Sequence, residues 1–246
     1  MTMDTNRRIA VIAGVLFIVA TVASLLGTAL GPVLTGADYL ARVSAQGDRV
    51  AAGALLALVA AFASAGIAVA LYPVLKGSNA GLALGSVVFR TIEAVMYVAG
   101  VVSLLSLLTV GQQLVSAGAA DRASLGAVGG LLLSLREHAA VAGVFAFCLG
   151  AFLYYSLFFQ ARLIPRWLSG WGIAAVILLA AACVLALLND RPITGYVLLA
   201  FPIFLQEMVL AVWLIARGFN PSAIVADAVG GTSRWEAAAR GAASAT

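Results

Sequence analysis

Six apolar runs constrain this chain more than any motif in it. They fall at roughly 9–31, 50–75, 81–111, 138–161, 168–188 and 193–217, and each reaches the ~20 residues that an α-helix needs to cross a bilayer. Backbone polar groups in hydrocarbon must pair within their own segment, so runs of this length specify helices rather than open sheet. The predicted fold is therefore all-α, a polytopic six-transmembrane-helix bundle. Charged residues make up 10% of the chain and hydrophobic ones 63%, with mean hydropathy +1.09. Ordinary globular domains carry about 25% charged residues, which excludes a water-soluble reading of residues 1–217.

The first run follows Asn6-Arg7-Arg8. It is longer than the apolar part of a signal peptide and no small-x-small cleavage site follows, so it reads as a retained anchor helix. With the N-terminus inside, the cytoplasmic set is Arg7, Arg8, Lys76, Arg162, Arg166, Arg217, Arg234 and Arg240. The opposite side holds Arg42, Arg49, Arg122, Arg136 and Arg191, matched by Asp38, Asp48, Asp121, Glu137 and Asp190. The positive-inside rule then puts both termini in the cytoplasm. The outward connections Pro32–Arg49 and Gln112–Glu137 are long enough for short interfacial helices at Asp38–Ala45 and Ser124–Leu135. Trp167, Trp171 and Trp213 fall near span ends, where indoles favour the interface. Residues 218–246, rich in Gly, Ala and Ser, read as a flexible cytoplasmic tail too polar and small to build a core.

Several function classes drop out on composition. A net charge of +4 and pI near 9.4 could suggest nucleic acid. The basic residues are spread singly, though, with no patch interleaved with aromatics, so no nucleic-acid partner is expected. Cys148 and Cys183 lie within spans and read as small apolar residues without a disulfide. One His and two scattered Cys give no metal-ligand spacing, and His138 has no second His for a bis-His haem. No cofactor is expected. No Gly-x-Ser-x-Gly elbow, phosphate loop, His-Glu-x-x-His or paired membrane aspartates appear, so an intramembrane enzyme ranks last among the readings.

What stands out against the apolar background is charge at mid-span. Arg90 and Glu93 lie in the third run and Glu207 in the sixth. A charge near the bilayer centre costs roughly 2.5–3.5 kcal/mol on insertion scales, so it finds a partner or a water-filled cavity. At a rise of ~1.5 Å per residue, Arg90 lies about 14 Å, Glu93 about 18 Å and Glu207 about 15 Å from the cytoplasmic boundary. All three share one layer near the midplane. Arg90 and Glu93, at i and i+3, share a helix face, and Tyr97 extends it by a turn. The candidate binding residues are thus Arg90, Glu93, Tyr97 and Glu207.

Three readings follow: a pocket for a small or amphipathic ligand with Arg90 as a forked donor, a proton-coupled site built on the surplus carboxyl, or a buried pair that only fixes helix packing, as in a structural or regulatory subunit. The lipid bilayer is the expected partner throughout, and nothing here specifies an oligomeric state. Pro202, five residues before Glu207, predicts a kink, and Gly27/Gly31 and Gly81/Gly85 have the spacing of close helix approach.

The segment Phe89-Arg90-Thr91-Ile92-Glu93-Ala94, the loop Ile164-Pro165-Arg166-Trp167-Leu168 and the late Pro202 and Glu207, set within six spans, resemble the bacterial membrane family "domain of unknown function 4386" over about residues 8–217. Arg90, Glu93, Pro165, Arg166 and Glu207 fit that pattern. The resemblance implies a multi-pass protein of the bacterial plasma (inner) membrane and carries no role for those residues.

Overall fold

The computed structural model describes residues 3–189 and 191–223; the part of the expected tail at 224–246 lies outside them. Apolar periodicity with little Pro gives helices almost throughout: α1 (Met3–Leu30), α2 (Tyr39–Ala45), α3 (Gly47–Leu75), α4 (Ala80–Ser116), α5 (Ala119–Ala161), α6 (Arg166–Leu188), a 3-10 turn (Ile193–Tyr196) and α7 (Val197–Ala216). Six helices are long and apolar enough to cross a membrane, and each overlaps one of the six runs, the fourth beginning well before its run. No strand occurs among the described residues.

The helices form a ring in chain order. α1 packs on α3, α3 on α4, α4 on α5, α5 on α6 and α6 on α7, and α7 returns to α1. Arg7 closes the ring by donating to the Leu214 carbonyl at 3.0 Å and the Ile215 carbonyl at 2.5 Å. A cation at a helix C-terminus meets both the orphan carbonyls and the negative end of the dipole. The N-terminal turn of α1 and the last turn of α7 therefore share one end of the bundle, called here the terminal end. The α1–α3 seam is tight because Gly27 and Gly53 face each other: a Cβ on either would come within 3.1 Å of the other's carbonyl oxygen. Gly27 thus serves the close approach its spacing suggested. The perimeter is apolar and unpartnered, with Phe62 64%, Val102 59% and Val212 62% exposed, a surface suited to acyl chains rather than water.

One expectation is corrected. The second outward connection holds no separate interfacial helix at 124–135. α4 runs unbroken to Ser116 and α5 begins at Ala119, leaving Ala117 and Gly118 as the turn. No Pro lies between residues 81 and 160, so nothing stops either helix where it leaves hydrocarbon. At 37 and 43 residues they measure about 55 and 64 Å against a ~30 Å core, and their hairpin projects from the other end of the bundle. The first outward connection does hold its short helix. α2 lies against the hairpin, with Leu40 over Gly111 and the Tyr39 hydroxyl and Leu40 over Gly129.

Candidate functional site

The seam between α4 and α5 positions the polar centre. Arg90, Glu93, Tyr97 and Gly100 follow one another at intervals of three and four along α4 and so share a face. Opposite them α5 presents Gly143, Phe147, Gly150 and Tyr154. A Cβ on Gly150 would lie 2.9 Å from Arg90 Cγ, and one on Gly143 would lie 3.1 Å from the Tyr97 ring. Each large polar side chain of α4 is therefore seated over bare backbone of α5, which only glycine permits.

Arg90 and Glu93 form a closed pair. Nη1 of Arg90 lies 3.0 Å from Oε2 of Glu93, and the residues are each 2% exposed. The Phe147 ring covers the guanidinium, with Cζ 4.6 Å from the ring centroid, a cation–π contact that gains strength where water is excluded. Ser64 of α3 donates to Oε1 of Glu93 at 2.8 Å. The pair thereby ties three helices together. It is not fully satisfied: Arg90 Nε and Nη1 and Glu93 Oε2 make no aligned hydrogen bond, although the charges touch. A short contact without hydrogen-bond alignment is Coulombic attraction with donors left over.

Glu207 stands beside this pair rather than in it. Among the described residues it makes no ion pair with Arg90, though it lies within reach of that charge. Its one hydrogen bond comes from the Tyr154 hydroxyl at 3.5 Å, a long contact for an O–H donor. It is half-buried, as is Tyr97, in contrast to the closed pair. Glu207 is thus tied to Tyr154 of α5 rather than to the charged residues of α4. By helical rise, Arg90 lies about 15 Å from the start of α4 and Glu207 about 14 Å from the end of α7; both ends face the same side, so one layer holds all the expected residues. The Tyr97 hydroxyl has no hydrogen-bond partner among the described residues.

Residues that sequence reasoning passed over complete the layer. Tyr155 donates to Gln206 Oε1 at 2.5 Å, and Gln206 Nε2 donates to the Leu168 carbonyl at 3.1 Å. Gln206 is fully buried and locks α7 to α5 and α6, one residue from Glu207. Two adjacent polar residues in a 20-residue apolar helix, and the Tyr154-Tyr155 pair in a neighbouring one, were the available signals. Ser64, a small polar residue within an apolar span, carried no such signal. The charged residues line neither of two open pockets: one lies at 45–49, and the other is an apolar groove of ≈ 360 Å³ at about the depth of the layer, lined by Phe89, Ile92, His138, Phe145 and Leu187. No group of three or more His, Cys, Asp or Glu able to hold a metal occurs among the described residues, and Cys148 and Cys183 are both free.

A ring of apolar helices around a charged midplane layer defines a multi-pass membrane protein. Residues 12–218 match the family described as Domain of unknown function (DUF4386), and the chain belongs to that family. Comparison with curated proteins and with solved structures finds no match.

Proposed function

We propose that the protein is a transporter-like membrane protein that handles a small solute together with a proton, in which the charged layer has two parts. Arg90 and Glu93 are the fixed part, holding α3, α4 and α5 in register. Glu207 is the working part, a carboxyl that can gain or lose its proton as its surroundings change. The observation that carries this reading is the contrast between the closed pair and a half-buried Glu207 held by one long hydrogen bond. A group with a loose shell can change charge at small structural cost, and intramembrane carboxyls serve in proton relays for that reason.

The alternative, a structural or regulatory subunit, draws support from the closure of Arg90 and Glu93 and from pockets that the charged residues do not line. Both readings share a topology in which the terminal end, bearing Arg7, Arg8, Lys76, Arg162, Arg166 and Arg217, faces the cytoplasm. The membrane proposed is the bacterial plasma membrane, on the strength of the family resemblance.

The test is infrared difference spectroscopy on the reconstituted protein across a pH step, with thermal unfolding in parallel. A carboxylic-acid band that titrates in the wild type and vanishes in a folded Glu207→Gln variant supports the proton-handling reading. A band unchanged by that substitution, together with a lowered unfolding midpoint, favours the structural alternative.

A further inference from the structure

The inside of the ring is filled unevenly. Of the largest fully buried side chains, all but Leu107 lie at the charged layer or on its terminal side, and Leu107 packs with Leu40 of α2. Along the inner face of α1, Asn6, Ala10, Ala13 and Phe17 are buried, and Phe17 meets the Tyr154 ring edge-on. Thr21, Ser24 and Thr28 continue that face at intervals of three and four, yet Thr21 is half-buried and Ser24 and Thr28 are exposed. α7 repeats the change. Ala211 and Leu214, on the face of Glu207, are buried, whereas Phe204 is 36% and Val197 63% exposed on the same face.

The cause lies in how the two helices are held. They touch in the terminal half, where a Cβ on Gly14 would come 2.8 Å from the Ala211 carbonyl oxygen. Beyond that point α1 stays with α3 through Gly27 and Gly53, while Tyr196, bonded to Asn189 and to the Leu185 carbonyl, keeps the start of α7 on α6. A cleft therefore separates α1 from α7 between the hairpin end and the layer. At its floor, Oε2 of Glu207 and the Tyr97 hydroxyl have no hydrogen-bond partner among the described residues, and neither atom is enclosed.

We propose that this cleft binds an organic monocation, a protonated amine, with its ammonium group on Glu207 and its apolar part along α7. Arg90 is matched by Glu93, so the surplus charge of the layer is the one carboxylate of Glu207, which a single positive charge complements. An ammonium N–H makes a charge-assisted hydrogen bond to Oε2, and the Tyr97 hydroxyl can accept another. Val197, Ala200 and Phe204 offer an apolar wall opposite the hydroxyls of α1, the mixture usual in small-molecule sites. An alkali ion would need oxygens all round to replace its hydration shell, and that wall has none. The proposal rests on the solute-handling reading and names its solute class; amine and proton then compete for one carboxyl.

The test places single cysteines at Thr21→Cys and Ser24→Cys in the purified full chain, with Val22→Cys, on the lipid face of α1, as control. Cys148 and Cys183 are buried and stay silent. Each variant is treated with a trimethylammonium methanethiosulfonate and its sulfonate counterpart, every rate being divided by that of a small free thiol. Thr21→Cys and Ser24→Cys are expected to react and Val22→Cys to resist. At Thr21→Cys the cationic reagent should be favoured about tenfold, and adding Glu207→Gln should abolish the preference. Phenethylammonium chloride should slow labelling of Thr21→Cys relative to sodium chloride at equal ionic strength, and should not do so with Glu207→Gln. Unreactive Thr21→Cys and Ser24→Cys would overturn the cleft. Absence of charge preference, or equal protection by sodium and phenethylammonium, would overturn the amine assignment. Protection alongside a carboxylic-acid band that does not titrate would keep the amine site and end the proton reading; a titrating band without protection would do the reverse.

Discussion

Arg90 is held by contacts of different kinds: the Glu93 charge, the Phe147 face and the space left by Gly150. A buried ion pair is a poor source of net stability, because desolvation offsets its attraction, but removing one partner strands the other charge. Glu93→Gln and Arg90→Met should therefore each destabilise the protein by about 3–5 kcal/mol, and the double variant should recover much of that loss. Unfolding midpoints of the two single variants and the double variant in one detergent give the coupling directly; simple additivity would mean the pair does not act as a unit. Gly150→Ala should destabilise by about 1–3 kcal/mol, since its Cβ would meet the Arg90 stem in a packed seam. The charges themselves were legible in the sequence, because a bilayer makes every mid-span ion expensive. Their partners were not. Ser64, Phe147 and Gly150 are ordinary residues of apolar helices, and only the rotation of α3 and α5 about their axes decides that they meet Arg90 and Glu93.

The elements were legible wherever hydrocarbon sets their length, and illegible where helices enter water. Asp121, Arg122, Arg136 and Glu137 look like loop residues from their charge, yet α5 continues through all of them because no Pro or turn sequence stops it. The projecting hairpin gives α2 its seat. There the Tyr39 hydroxyl is buried over Gly129 without a hydrogen-bond partner, and burial raises its pKa above the ordinary tyrosine value of 10.0. The unfolded chain would ionise Tyr39 near that value while the folded chain keeps it neutral. The folded state then binds more protons, so stability is intact below pH 10 and falls as pH rises through it. Tyr39→Phe should remove this alkaline loss and leave neutral stability unchanged or slightly higher, as an unsatisfied buried hydroxyl disappears. Hydrogen exchange of α2 amides between neutral and alkaline pH reads the effect locally; equal alkaline loosening of both proteins would assign it to another group.

At the scale of the whole molecule, the even number of crossings and the Arg7 contact with the last carbonyls of α7 put both ends of the ring together. Which side they face is a matter of charge. The terminal end carries more Lys and Arg with few matching acids, whereas the hairpin end carries Arg42, Arg49, Arg122 and Arg136 alongside Asp38, Asp48, Asp121 and Glu137. Insertion responds to the basic residues near span ends, so the hairpin should face outward. The native thiols suit a direct test, because Cys148 and Cys183 are both buried and should stay silent toward a membrane-impermeant maleimide. Ser116→Cys, at the hairpin tip, should label in intact cells, while Ser222→Cys, just past α7, should label only after the membrane is opened. The opposite pattern would turn the protein over in the bilayer. The projecting α4–α5 hairpin, with α2 seated on it, would then stand on the cytoplasmic side.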